Sequence, residues 1–386
     1  MIAPELSMHQ KQDAGPSFLT CTQGAANPDK TQNCTSALES ARAPHRGVPV
    51  RSPERVAVLL NKVARGNRKR PLRTDALSSL LQGRASFFVT QQVREVPEAV
   101  RAALDLAPDL IVVSGGDGTL HLLMTELLHQ AQGQAVPPLL VLRGGTMNIA
   151  AGNLASGKAP ARELATLGRA IDINAFEQGL VSIRNVAPLC VQSTRFDVPK
   201  YAFVFANGIA YRILREYYAS GEPSPARAFT VTASILGAAF VGEEAERRFF
   251  PSLEARVFVD GELASDQPLR ISVATPLSRL ILWFAPFEEA RAPLTDSFNF
   301  LANFMRTGEI ARHFWPLCRG TYIGPGHVCR AAREVTIVDG EGFTLDGEVY
   351  EGSDQVHISV GPVLSFVDLS PMYEGQRKFR WLTGSN

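Results

Sequence analysis

The sequence predicts an α/β domain followed by a second, β-rich half. Three observations lead there. From Arg55 to about residue 170, short apolar runs alternate with amphipathic helical periods. After Ile171 the rhythm changes to strand-like runs punctuated by Asp-Gly pairs. The composition, 45% apolar and 20% charged over 386 residues, is that of a globular chain long enough for more than one core.

The elements follow in order. Residues 1–52 show no periodicity and are rich in small and polar residues; a disordered extension is expected, or equally a start codon assigned upstream of the true domain. Val56–Leu60 is a continuous apolar run ending at Asn61, the pattern of a strand buried on both faces. A helix is expected over Asp75–Leu81 and a second strand over Ala85–Val89. Glu95–Leu106 places Val96, Val100, Ala103 and Leu104 on one helical face, with Pro97 in the first turn. Leu110–Val113 is a third strand, and Leu120, Leu123, Met124, Leu127 and Leu128 then mark an amphipathic helix. Pro138–Leu142 is a fourth strand and Arg162–Leu167 a further helix. This alternation implies a mostly parallel sheet with helices on both faces. The expected break falls near 170, giving an α/β domain at 53–170, a β-rich domain at 171–370 and a tail at 371–386. Strands are expected at 180–184, 202–206, 255–259, 269–274, 335–338 and 356–360, and helices around Tyr211–Tyr218 and Ala228–Val241. Asp260-Gly261 and Asp339-Gly340 are tight-turn signals.

Several classes of function are disfavoured. Lys+Arg minus Asp+Glu is 39 − 38 = +1, so the overall charge does not point to nucleic acid. The five cysteines form no C-x-x-C pair and the seven histidines no H-E-x-x-H, which argues against zinc sites and a disulfide framework. No apolar stretch reaches the ~20 residues of a spanning helix, and the N-terminus lacks a secretion-signal pattern. A cytoplasmic protein with peripheral membrane contact at most is the expectation. Nine Lys/Arg against one acid between Arg46 and Arg73 offer attraction to phosphate or to an anionic membrane surface, or simply a solvated basic face.

Chemistry concentrates at Ser114-Gly115-Gly116-Asp117-Gly118-Thr119, between a buried strand and an amphipathic helix. That is the carboxyl edge of an open α/β sheet, where ligands bind. Glycines permit tight turns and close approach of backbone, and the N–H groups of a following helix favour an anion such as phosphate. Thr119 suits a cap or phosphate donor. Asp117 beside phosphates would be repulsive unless it held a cation or took a proton. Gly144-Gly145-Thr146-Met147-Asn148 follows the next strand, and Asn148 could fix either a nucleotide or the loop. Asp346-Gly347-Glu348 is, by itself, a hairpin signal carrying two carboxylates. Gly152-x4-Gly157-Lys158 imitates a Walker A loop, but Ala159 stands where that loop needs Ser or Thr. His121 and His129 share a helix without a metal-like partner set and are expected at the surface or in caps.

These motifs resemble the diacylglycerol kinase catalytic-domain family, which includes sphingosine kinases and bacterial lipid kinases. The resemblance rests on GGDGT at 115–119, the G-T-x-N segment at 145–148, Asn61 ending the first strand, Ala285-Pro286, and Asp346-Gly347-Glu348, in the family's order over roughly residues 54–370. Lys62 stands where the family has Pro, Ile149 where it has Asp, and Thr295-Asp296-Ser297 where it has Asp-Asp-Gly. The resemblance implies an NAD-kinase-like α/β nucleotide-binding domain with a β-rich second domain, and an ATP-dependent lipid kinase using magnesium. Asn61, Gly115, Gly116, Asp117, Gly118, Thr119, Thr146 and Asn148 would bind ATP. Glu348 would accept the proton, Asp117 would organise ATP and magnesium, and Asp296 would be a structural magnesium ligand. NAD kinases share GGDGT but carry an Asn-Glu dipeptide, which occurs nowhere here. An NAD-kinase-like small-molecule kinase, or a non-catalytic binding module on the same fold, are the alternatives.

Overall fold

A computed structural model describes residues 51–72, 78–155, 158–219, 252–280, 284–287 and 295–373. The expected N-terminal extension, the helix at 228–241 and part of the helix at 75–81 lie outside the described residues.

Among the described residues the first sheet has six strands. β1 (Val56–Asn61), β2 (Ala85–Thr90), β3 (Leu110–Gly115) and β4 (Leu139–Arg143) run parallel in the order β2-β1-β3-β4. Their residues alternate between two cores, as period-two geometry requires. Ala57, Leu59, Ile111, Val113, Leu139 and Val141 face α2 (Val96–Asp105) and α3 (Asp117–Ala131). Val56, Val58, Leu110, Val112, Leu140 and Leu142 face α5 (Pro160–Asp172). Helices thus cover both faces, which is why the strands read as unbroken apolar runs. Two short helices sit at the sheet's carboxyl edge: α1 (Arg65–Lys69) after β1 and α4 (Ile149–Leu154) after β4.

The expected break at 170 does not coincide with the end of this sheet. β5 (Ser182–Val186) and β16 (Leu364–Asp368) complete it in the order β4-β16-β5. β16 is parallel to β4, and β5 is antiparallel to β16. Pairing across nearly two hundred residues of sequence leaves no periodicity that could have announced it. The chain therefore leaves the first unit, builds the second, and returns.

Among the described residues the second sheet has ten strands, all paired antiparallel. It comprises β6 (Leu189–Ser193), β7 (Lys200–Ala202), β8 (Phe205–Gly208), β9 (Arg256–Val259), β10 (Glu262–Leu263), β11 (Ile271–Thr275), β12 (Phe298–Asn303), β13 (His327–Ala332), β14 (Glu334–Leu345) and β15 (Glu348–Val360). Helix α6 (Ile209–Ala219) follows β8, while α7 (Thr307–Arg312) and α8 (Phe314–Cys318) lie between β12 and β13. Its core gathers Phe205, Phe298, Phe300 and Phe343 with Val257, Val335 and Ile358.

Two details depart from expectation. The run at 202–206 divides into β7 and β8, so that Phe203 and Val204 can turn their N–H groups onto a side chain described below. Asp339-Gly340 is not a turn. Its left-handed Asp339 (φ 61°) lies within β14, whose register with β15 runs unshifted from Glu334–Ser359 to Leu345–Glu348. The hairpin turn is instead Asp346-Gly347, with φ of 49° and 92°, the two-residue turn that asks for Asp-Gly or Asn-Gly. Asp260-Gly261 forms the expected turn between β9 and β10. Among the described residues no helix is long and apolar enough to cross a membrane.

Candidate active site

Three loops meet at the carboxyl edge of the first sheet. Gly66 N–H donates to the Gly144 carbonyl (2.8 Å), and Gly144 N–H to the Gly115 carbonyl (2.9 Å). None of Gly115, Gly116, Gly118, Gly144 and Gly145 has a positive φ. Their glycine character serves close approach: a Cβ on Gly145 would strike the Cα of Gly116, and one on Gly116 would lie 3.1 Å from the Cα of Gly145. The two glycine loops pack backbone against backbone, at the N-terminus of α3.

Side chains lock this arrangement. The Asn61 amide donates to Thr119 Oγ1 (2.8 Å), while its oxygen accepts the N–H groups of Val63 and Ala64. Asn148, left-handed at φ 54°, accepts the Gly145 N–H (2.8 Å) and donates to the Gly145 carbonyl (3.0 Å). Of its two sequence readings, the structure shows the loop-fixing one. Thr146 is half-buried within that loop. Buried Asn67 donates to the Asn61 carbonyl (2.8 Å) and the Ser114 carbonyl (3.2 Å), tying α1 to β3. Nothing in the sequence singled out Asn67, because both of its partners are set by strand placement.

Asp117 resolves its apparent conflict with phosphate by turning to protein. Its carboxylate accepts the Ala150 N–H at 3.0 Å, with the N–H groups of Ile149 and Asn148 also directed at it. Burial pushes its pKa up, and those N–H donors oppose the shift. Asp117 thus clasps the second glycine loop to the first.

The second sheet brings its long hairpin to the same place. Asp346, 8% exposed, accepts the N–H groups of Phe203 (2.9 Å) and Val204 (2.8 Å) and donates its own N–H to the Val204 carbonyl. Burial raises its pKa well above the carboxylate range, helped by the charges of Asp117 and Glu348 and opposed by the two N–H donors. Two residues on, the Glu348 carboxylate lies directly over Gly118, where a Cβ would strike its Oε1 and come within 3.1 Å of its Cδ. Glu348 remains open to solvent as a residue, while the protein packed around its carboxyl raises its pKa by burial. Tyr218 on α6 donates its hydroxyl to the Gly347 carbonyl (2.9 Å), and burial followed by the Glu348 charge pushes the phenol up to about 12. Asp346-Gly347-Glu348 is therefore both readings at once: a plain hairpin turn, and the means of delivering a carboxylate to the glycine loop.

Two expectations are placed elsewhere. Asp296 is an exposed turn residue accepting the Ser297 hydroxyl (3.3 Å). It lines a surface cavity with Ser359, Val360 and Gly361, at the end of β15 away from Glu348. His121 is not a surface or cap residue. It is fully buried, with Nδ1 2.8 Å from the Tyr201 carbonyl and Nε2 2.9 Å from the Tyr350 hydroxyl. His129 Nε2 lies 2.8 Å from the Pro199 carbonyl. Helical spacing alone could not show that this face of α3 meets the second sheet.

Comparison with known proteins agrees with this architecture. Residues 55–177 match the sequence model of the diacylglycerol kinase catalytic domain, which bears out the motif resemblance over the whole glycine-loop cradle. The match ends before β5 and does not reach Glu348. No curated protein matches the chain. Among solved structures the fold is shared with three from Bacillus anthracis str. Sterne. One, described as a "putative diacylglycerol kinase", is 12% identical with a TM-score of 0.57, over 81% of this chain and 96% of that one. Another, described as a diacylglycerol kinase, is 11% identical with a TM-score of 0.53, over 81% and 96%. The third gives 13% and 0.56, over 81% and 97%. The α/β unit with a β-rich second unit is thus the fold of these proteins.

Proposed function

We propose that the chain is an ATP-dependent lipid kinase that transfers the γ-phosphate to a lipid hydroxyl, such as that of diacylglycerol or a sphingoid base. The observation that carries this reading is the seat of the Glu348 carboxylate over Gly118. It sets a proton acceptor from one sheet against the anion-favouring N-terminus of α3 from the other. Phosphoryl transfer asks for a triphosphate cradle, charge stabilisation and a base near the attacking hydroxyl. The backbone of 115–119 and 144–148 supplies the cradle. The substrate oxygen attacks the γ-phosphorus, the bond to the β–γ bridging oxygen breaks, ADP leaves, and the hydroxyl proton passes to Glu348. Asp117 and Asp346 hold loop and turn in register.

Magnesium enters this reading with the nucleotide, as its counter-ion. Among the described residues no group of three His, Cys, Asp or Glu could hold a metal ion. Asp296 belongs to no such group among the described residues, and the residue roles above hold without a resident cation. Exposed Lys62, Arg68, Lys69 and Arg70, on and flanking α1, support peripheral contact with anionic lipid on a cytoplasmic face. Such contact weakens with salt, which vesicle co-sedimentation reads.

The test is incubation of the purified chain with labelled ATP and a panel of lipid alcohols, with NAD included. Label in a lipid supports the reading. Label in NAD alone overturns it in favour of a small-molecule kinase, and label in neither in favour of a binding module.

A further inference from the structure

We propose that Tyr350 and His121 form a latch between the two sheets that positions Glu348 over the glycine loop. The inference rests on the kinase reading for its kinetic consequence, but its geometry stands independently.

The first turns of α3 and the first residues of β15 run alongside each other as two rungs. In the first, Glu348 meets Gly118; in the second, the Tyr350 hydroxyl meets His121 Nε2 at 2.9 Å. Residues two apart on a strand share a face, and residues three apart on a helix are neighbours, so one rung sets the other. The ring's hydrogen-bond roles are determined. The Tyr201 carbonyl can only accept, so His121 Nδ1 donates to it and Nε2 presents its lone pair to the Tyr350 hydroxyl. Burial lowers the His121 pKa to about 4, which keeps the ring in that neutral form.

The rest of the contact is built to hold these two groups. Further along the same helical face, Thr125 Oγ1 accepts the Tyr201 N–H (3.0 Å), and His129 reaches the Pro199 carbonyl. These bonds tie α3 to β7 and the residue before it, whereas the Tyr350 bond reaches the strand that carries Glu348. The Tyr350 ring is stacked on Phe343 (centroids 5.5 Å, planes 20° apart), with the Lys200 ammonium 5.5 Å from its centroid. Neither contact needs the hydroxyl, so the hydroxyl's part is separable from packing.

The experiment uses the full chain and Tyr350→Phe, which keeps the ring and removes the bond. The expected result is a fall in kcat of about 10–10²-fold, the cost of a small misplacement of a reacting group, with KM for ATP unchanged. Hydrogen exchange across 345–350 gives a readout that needs no activity: it should quicken in Tyr350→Phe while exchange in β1 and β3 stays as it was. Unchanged exchange at 345–350 overturns the latch, as does a kcat equal to that of the parent. A loss of kcat matched by a general loss of protection also overturns it, by showing a merely structural bond. A parent chain that transfers no phosphate, yet shows the local change in exchange, supports the latch and defeats the kinase reading.

Discussion

Gly118→Ala isolates what the third glycine of GGDGT is for. The new methyl carbon would fall on Glu348 Oε1, 3.1 Å from its Cδ and 3.3 Å from its Cγ. Carbon and oxygen settle at roughly 3.5 Å, so the carboxylate must withdraw by about 1 Å or more. What withdraws is the end of a flexible side chain on an exposed residue, at a cost of about 0.5–1.5 kcal/mol in rotamer strain. Alanine returns up to about 1 kcal/mol in helix propensity, so overall stability should hardly change. Catalysis should change: a base displaced by that distance costs about 10²-fold in kcat. The assay is steady-state transfer from ATP at saturating lipid, run as a cycle with Glu348→Gln. The latter should lower kcat by about 10²–10⁴-fold alone, with ATP binding nearly intact. If Gly118 acts through Glu348, Gly118→Ala adds no more than about a factor of three in the Glu348→Gln background. Equal losses in both backgrounds would refute the reasoning. So would a raised KM for ATP with kcat spared, since glycine would then serve the nucleotide directly.

Three further outcomes follow from the same geometry. Gly145→Ala meets backbone rather than a movable side chain, because its Cβ strikes the Gly116 Cα. It should therefore destabilise the fold by about 1–3 kcal/mol in denaturant titration and weaken ATP binding. Asp346→Asn keeps a residue tolerant of φ 49° and can keep an oxygen on the Val204 N–H, but it turns an NH2 toward the Phe203 N–H at the place of Oδ2. A loss of about 1–3 kcal/mol is expected, larger in stability than in kcat. The pH profile of kcat should carry an acidic limb from Glu348. A base works deprotonated, and burial raises this carboxyl, so activity climbs with pH through a value above that of an ordinary glutamate. In Glu348→Gln that limb should vanish from the residual rate.

Much of the first unit was legible because its determinants are local. Strands such as Val56–Asn61 and Leu110–Gly115 are buried on both faces and read as unbroken apolar runs. The α3 stripe of Leu120, Leu123, Met124 and Leu127 follows helical period because one face packs on the sheet. The glycine loops and the Asp-Gly-Glu segment were visible as patterns for the same reason, since backbone approach and a two-residue turn each demand particular residues in sequence. Long-range juxtaposition could not be read. β5 and β16 return to the first sheet through pairing with strands far away in the chain, and continuous apolar runs carry no label for their neighbours. His121 looked like a surface histidine because its partners, the Tyr201 carbonyl and the Tyr350 hydroxyl, come from the other unit. The purpose of Gly118 was equally hidden. The residue type declared that something comes close, and only the folded chain shows that it is the carboxylate of Glu348.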